Sequence, residues 1–137
     1  MGNLLDIPTG IICQQVNCRG VMGAGLAMAI RNRWPVVYET YLRNFRAGLL
    51  GLGKVFVVRV GPALFVANLC GQDRYGRDRC YTDYAALEQC FTKLREWRDS
   101  KSPELTIFVP TGMGCGLAGG DWARVSAIAI SERLVFC

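Results

Sequence analysis

The chain has 137 residues, 51% of them apolar, with a net charge of +5 and no histidine. That is one domain's worth of chain, residues 1–137, apolar enough for a buried core and too apolar for disorder. The lack of histidine excludes the Ser-His-Asp triad, the Cys-His dyad and most zinc sites, and no apolar run approaches the roughly 20 residues that a membrane helix needs.

In chain order, Asn3 to Asp6 reads as a short strand and Gly10 to Val16 (GIICQQV) as a second, partly buried one. The loop NCRGVMGAG follows, with Gly20, Gly23 and Gly25. Leu26 to Trp34 reads as an apolar helix that ends before Pro35. Val36 to Phe45 reads as another, with Val37, Tyr41 and Phe45 spaced by four along one face. Lys54 to Val60 and Ala63 to Leu69 flank Gly61-Pro62, which predicts a hairpin. The loop GQDRYGRDR is polar and expected to be solvated. Thr82 or Asp83 is placed to cap a helix through Trp97, whose apolar stripe is Tyr84, Leu87, Phe91, Leu94 and Trp97. Leu105 to Val109 reads as a strand, Pro110 to Gly120 as a loop, Asp121 to Leu134 as a helix and Val135 to Cys137 as a last short strand.

Strands alternate with helices, so the fold class is α/β, with a mostly parallel sheet, helices on both faces and one hairpin making it mixed. Ligands in such sheets bind outside the carboxyl ends of the strands. Two loops expected there are rich in glycine, Asn17 to Gly25 and Thr111 to Gly120. Glycine admits positive φ and lets backbone N–H groups converge on an anion. A helix N-terminus behind the loop adds partial positive charge. Two such loops side by side suit a diphosphate.

Other glycine motifs fail on their own chemistry. MGAGLAMA has Met28 where a dinucleotide fingerprint needs its third glycine, and no acid about 20 residues on. Gly48 to Val55 matches GxxxxGK but has Val55 in place of Ser or Thr and a strand after it, not a helix. GCGLAGG lacks the serine of a nucleophile elbow, and Cys115 has no histidine to activate it. The seven cysteines are odd in number and form no CxxC pair, which suits reduced, mostly buried thiols in a cytoplasmic protein. MGNLLDIPTG has neither a basic n-region nor a long apolar stretch, so no signal peptide is expected. Thirteen of the 16 basic residues are arginines, scattered except for Arg74, Arg77 and Arg79. That supports a small anionic ligand at least as well as a nucleic-acid surface.

IICQQVNCRGVMGAGLAMAIRNRWP resembles the first ligand loop of the macrodomains, the ADP-ribose-binding modules, and PTGMGCGLAGGDW their second phosphate loop. The resemblance runs over nearly the whole chain and is greatest to small phage and bacterial macrodomains, near the terminal ADP-ribose protein glycohydrolase branch. It implies a three-layer α/β/α sandwich around a mixed sheet. It places Asn3 at the adenine amino group, in place of the family's aspartate, with Leu4 offering its backbone. Asn17 falls near the distal ribose, and Gly23, Ala24 and Gly25 where the chain passes ribose and diphosphate. Thr111, Gly112, Met113, Gly114, Cys115, Gly116 and Leu117 would wrap the phosphates. Gln72 and Tyr75 are candidates for the ribose or a base. The branch's nucleophilic lysine and the aspartate after GCGL are both missing, Ala118 standing in the second place. Asp121 is then the candidate acid or base, with Asn17 positioning water; its alternative role is a helix N-cap.

The resemblance thus implies a protein that binds ADP-ribose or a derivative and hydrolyses an ADP-ribosyl linkage or ADP-ribose 1″-phosphate. The alternative is a binding module without turnover, and a third reading, from charge alone, is a nucleic-acid protein. No metal or cofactor is implied. The expected partner is an ADP-ribose-like molecule or an ADP-ribosylated macromolecule, with nucleic acid only when ADP-ribosylated and no membrane.

Overall fold

The computed structural model describes residues 4–23, 25–76, 78–115, 118–131 and 135–136. Five strands form one sheet: β1 (Gly10–Val16), β2 (Val55–Gly61), β3 (Leu64–Cys70), β4 (Ile107–Val109) and β5 (Val135–Phe136), in the order β2-β3-β1-β4-β5. β1 runs parallel to β3 and to β4, and β5 parallel to β4, while β2 is the antiparallel partner of β3. The central strand β1 alternates in direction. Ile11 and Cys13 point to one layer of core, Ile12 and Val16 to the other.

Helices α1 (Gly25–Arg33) and α2 (Pro35–Arg46) cover one face, with Ile30, Val37 and Tyr41 fully buried. Pro35 begins α2 because a first-turn residue needs no N–H partner. Helices α3 (Tyr84–Lys101) and α4 (Trp122–Ser131) cover the other face. Leu87, Phe91 and Leu94 of α3 are fully buried, each stabilising the fold by roughly 1.5–3 kcal/mol. Asp83 caps α3, its Oδ1 accepting the Ala86 N–H at 2.9 Å. Among the described residues no helix is long and apolar enough to cross a membrane.

The three layers and the mixed sheet agree with the expectation; some local readings do not. Leu4–Asp6 is a short 3-10 turn and not a strand, with Leu4 and Leu5 packed on the α1–α2 core. Four residues contribute too little pairing to hold an edge there. β4 is shorter than Leu105 to Val109, although the Thr106 carbonyl still accepts the Ile11 N–H at 2.9 Å. Phe45 is half exposed; its ring lies over Gly20, where a Cβ would stand 2.7 Å from it. In the polar loop, Gln72 is buried and not solvated.

Because β1, β3 and β4 are parallel, their carboxyl ends lie at one edge of the sheet. Three loops leave from there: 17–24 before α1, 71–83 before α3 and 110–121 before α4. The chain goes from β1 to one side and returns across β1 to β4, so a crevice opens at that switch.

Candidate functional site

A cavity of about 750 Å³ lies at this crevice. Asn17, Gly23 and Gly25 line it from the first loop and Gln72, Tyr75 and Gly76 from the second. Thr111, Gly112, Met113 and Gly114 line it from the third. Leu26 and Ala27 also face it, so the first turn of α1 opens into the space. N–H groups of a helix's first turn have no partner within the helix, and their dipoles favour an anion.

The third loop presents the complementary wall. Gly112 and Gly114 have φ of +81° and +79°, a conformation that favours glycine. The flanking N–H groups are used within the turn, Met113 donating to Pro110 O and Cys115 to Gly112 O. Those of Gly112 and Gly114 have no protein acceptor among the described residues. No Asp, Glu, Lys or Arg side chain lines the cavity among the described residues. What the described residues offer an anion here is backbone N–H groups and a helix end.

The first loop is shaped from inside by Asn17. Its Nδ2 donates to Val21 O at 2.7 Å, and its Oδ1 accepts the Arg19 N–H at 2.9 Å. The buried Tyr41 hydroxyl lies 2.7 Å from Asn17 O and 2.8 Å from Asn17 Oδ1, and accepts the Gly20 N–H at 3.2 Å. Burial pushes the Tyr41 phenol well above its ordinary range, so it stays a donor. Tyr41→Phe removes the hydroxyl that serves the Asn17 carbonyl and the Gly20 N–H, while Asn17 Oδ1 keeps the Arg19 N–H. It is expected to cost about 2 kcal/mol of stability. Urea denaturation reads this, and an unchanged midpoint would show that the hydroxyl does not hold the loop.

Three predicted site residues lie apart from the cavity lining. Leu4 packs against the α1–α2 core. Cys115 turns its Sγ toward Met113 O, 3.5 Å away, and burial, then the charge of Asp121, raises its pKa. Asp121 is exposed at the start of α4. Its Oδ1 accepts the Ala123 N–H at 2.9 Å and its own N–H donates to the Tyr84 hydroxyl at 2.9 Å. Asn3, Ala24, Gly116 and Leu117 fall outside the described residues. Sequence reasoning did not single out Gln14 and Gln15, which also line the cavity. The available signal was two amides side by side in an apolar strand, which must point to opposite faces. Among the described residues no cluster of three His, Cys, Asp or Glu is placed to hold a metal.

The fold is a mixed α/β/α sandwich in which residues of two glycine-rich loops and a helix start line one crevice at the carboxyl ends of the strands. The chain carries the macrodomain fold. It superposes on the macrodomain of Mycobacterium tuberculosis DarG with a TM-score of 0.85 at 24% identity, covering 99% of this chain and 93% of that one. A DarTG structure from Thermosipho africanus in complex with ADP-ribose matches with a TM-score of 0.80 at 17% identity, over 98% of this chain and 39% of that one. In sequence, the DNA ADP-ribosyl glycohydrolase of Mycobacterium bovis is 38% identical over 60 residues, 44% of this chain. The match spans 17% of that relative's length. No family model matches the chain.

Proposed function

We propose that this chain binds ADP-ribose, free or attached to a macromolecule, in the cavity between its glycine loops, and hydrolyses the linkage that attaches it. One observation carries the reading. Gly112 and Gly114, whose N–H groups have no protein acceptor among the described residues, line the same cavity as the first turn of α1, and no charged side chain among the described residues lines it. A diphosphate fits that arrangement, since N–H dipoles and a helix end compensate its charge without a cation. The relative that acts on ADP-ribosylated DNA and the fold neighbour that holds ADP-ribose support the choice of ligand. Calorimetric titration with ADP-ribose, against AMP, ribose 5-phosphate and NAD, is the direct test. Micromolar binding selective for ADP-ribose is expected, and its absence would end the reading.

A second reading, binding without turnover, is favoured by the absence of any lining carboxylate, amine or thiol among the described residues. Incubation with ADP-ribosylated DNA, ADP-ribosylated protein and ADP-ribose 1″-phosphate separates the two, since a pure binding module releases nothing. Asp121 stays the proposed acid of the hydrolytic reading. Asp121→Asn keeps an oxygen for the Ala123 N–H but not the acid; Asp121→Ala removes both. Loss of the cap alone predicts about 1 kcal/mol of destabilisation in the alanine variant and little in the asparagine variant. An acid role predicts that both lose turnover and keep ADP-ribose affinity.

A further inference from the structure

A chain of hydrogen bonds runs beneath the cavity and joins two of its walls. The Gln72 side chain donates to Arg74 O at 2.8 Å, which closes the start of the 71–76 loop. Its Oε1 accepts from Gln15 Nε2 at 2.9 Å. The second proton of that Nε2 goes to Thr82 Oγ1, also at 2.9 Å. The Thr82 hydroxyl in turn donates to Gly114 O at 2.6 Å. Gln72 and Thr82 are both buried, so water does not compete for these bonds.

The order of donors fixes the direction of the chain. Thr82 spends its one proton on Gly114 O, so its oxygen can only accept from Gln15. Flipping the Gln15 amide would set its oxygen against two acceptors. The Gln15 Oε1 is buried and has no hydrogen-bond partner among the described residues. It lies where a Cβ on Gly71 would come within 2.6 Å and one on Gly114 within 2.9 Å. At Gly71, where φ is not positive, the missing side chain leaves room for an amide whose oxygen has no partner among the described residues. An apolar side chain of that length would fill the space without an orphaned acceptor. What glutamine alone supplies here is the pair of donor protons.

We propose that Gln15 is a positioning residue that couples the 71–76 loop to the Gly112–Gly114 loop, so that the two walls hold a ligand as one unit. The ligand side of this rests on the ADP-ribose reading; the coupling itself does not. Gln15→Met keeps the length and removes both donors, Thr82→Val removes the link to Gly114, and Thr82→Ser keeps it. In ligand-free protein, Gln15→Met and Thr82→Val are each expected to move the Gly112 and Gly114 amide resonances, and Thr82→Ser to restore them. ADP-ribose affinity is expected to fall about tenfold in each disrupting variant, to return with serine, and to fall no further in the double variant, as one shared path requires. Unmoved resonances in Thr82→Val, no rescue by serine, or fully additive losses would overturn the coupling. If the unmodified protein does not bind ADP-ribose, the functional reading fails, and the ligand-free resonances still decide the coupling.

Discussion

Gly23→Leu is expected to leave the fold intact and to reduce ADP-ribose affinity by at least about 100-fold, equivalent to roughly 2.7 kcal/mol. The two effects separate because of where Gly23 sits. Its φ is not in the positive region, so a side chain brings no backbone strain. A Cβ there meets nothing within 4 Å, and the residue is exposed. Substitution at such a position shifts stability by no more than about 0.5 kcal/mol. The residue nevertheless lines the cavity beside the first turn of α1. A leucine there takes up space that a diphosphate or ribose needs. Gly112 makes a useful contrast. A Cβ there also meets nothing, but φ is +81°, so Gly112→Ala adds strain of about 1–2 kcal/mol to any loss of binding. Thermal melts and calorimetry on the two variants check both statements. Wild-type affinity in Gly23→Leu would remove the first loop from the site.

Much of this arrangement was legible in the sequence because it rests on periodicity. GIICQQV occupies the residues expected of it, and the Gly61-Pro62 hairpin and the α3 stripe follow from apolar spacing. The terminal Leu4–Asp6 turn was misread because so short a stretch, with only Leu4 and Leu5 apolar, satisfies a strand and a 3-10 turn equally. The glycine loops were recognisable as a pair, but their glycines were read as one kind. Gly112 leaves backbone open toward the cavity, whereas Gly119 and Gly120 are pressed against neighbouring chain. Composition cannot sort these, because an open N–H and a crowded Cα both require glycine. The polar interior was also hidden. Gln15, Thr82 and Tyr41 take their meaning from partners 67, 32 and 24 positions away. No local pattern carries such pairings. Asp121 shows the converse. Its position before an apolar helix indicated a cap, and the Ala123 bond is that cap.

Gly120→Ala is expected to do the reverse of Gly23→Leu and cost about 3 kcal/mol of stability, a large share of the 5–15 kcal/mol available to a domain. The backbone at Gly120 is not in the positive-φ region, so the difficulty is contact and not conformation. A Cβ would overlap the carbonyl oxygen of Gly114 and stand 3.1 Å from Thr82 Cβ and Oγ1. That carbonyl cannot yield easily. It accepts the Gly120 N–H at 2.9 Å and the Thr82 hydroxyl at 2.6 Å, and any retreat lengthens one bond or both. Overpacking of this kind costs about 1–3 kcal/mol, and each weakened hydrogen bond adds about 1 kcal/mol. Gly119→Ala is expected to be milder. Its φ is +72° and the nearest atom to a Cβ is Arg79 O at 3.1 Å. Urea denaturation of the two variants ranks them. If Gly120→Ala unfolds at the wild-type midpoint, the Gly114 carbonyl is not the fixed point of that wall. If the midpoint falls as expected, the paired glycines before Asp121 serve to seat the loop, and ligand contact falls to the glycines nearer β4.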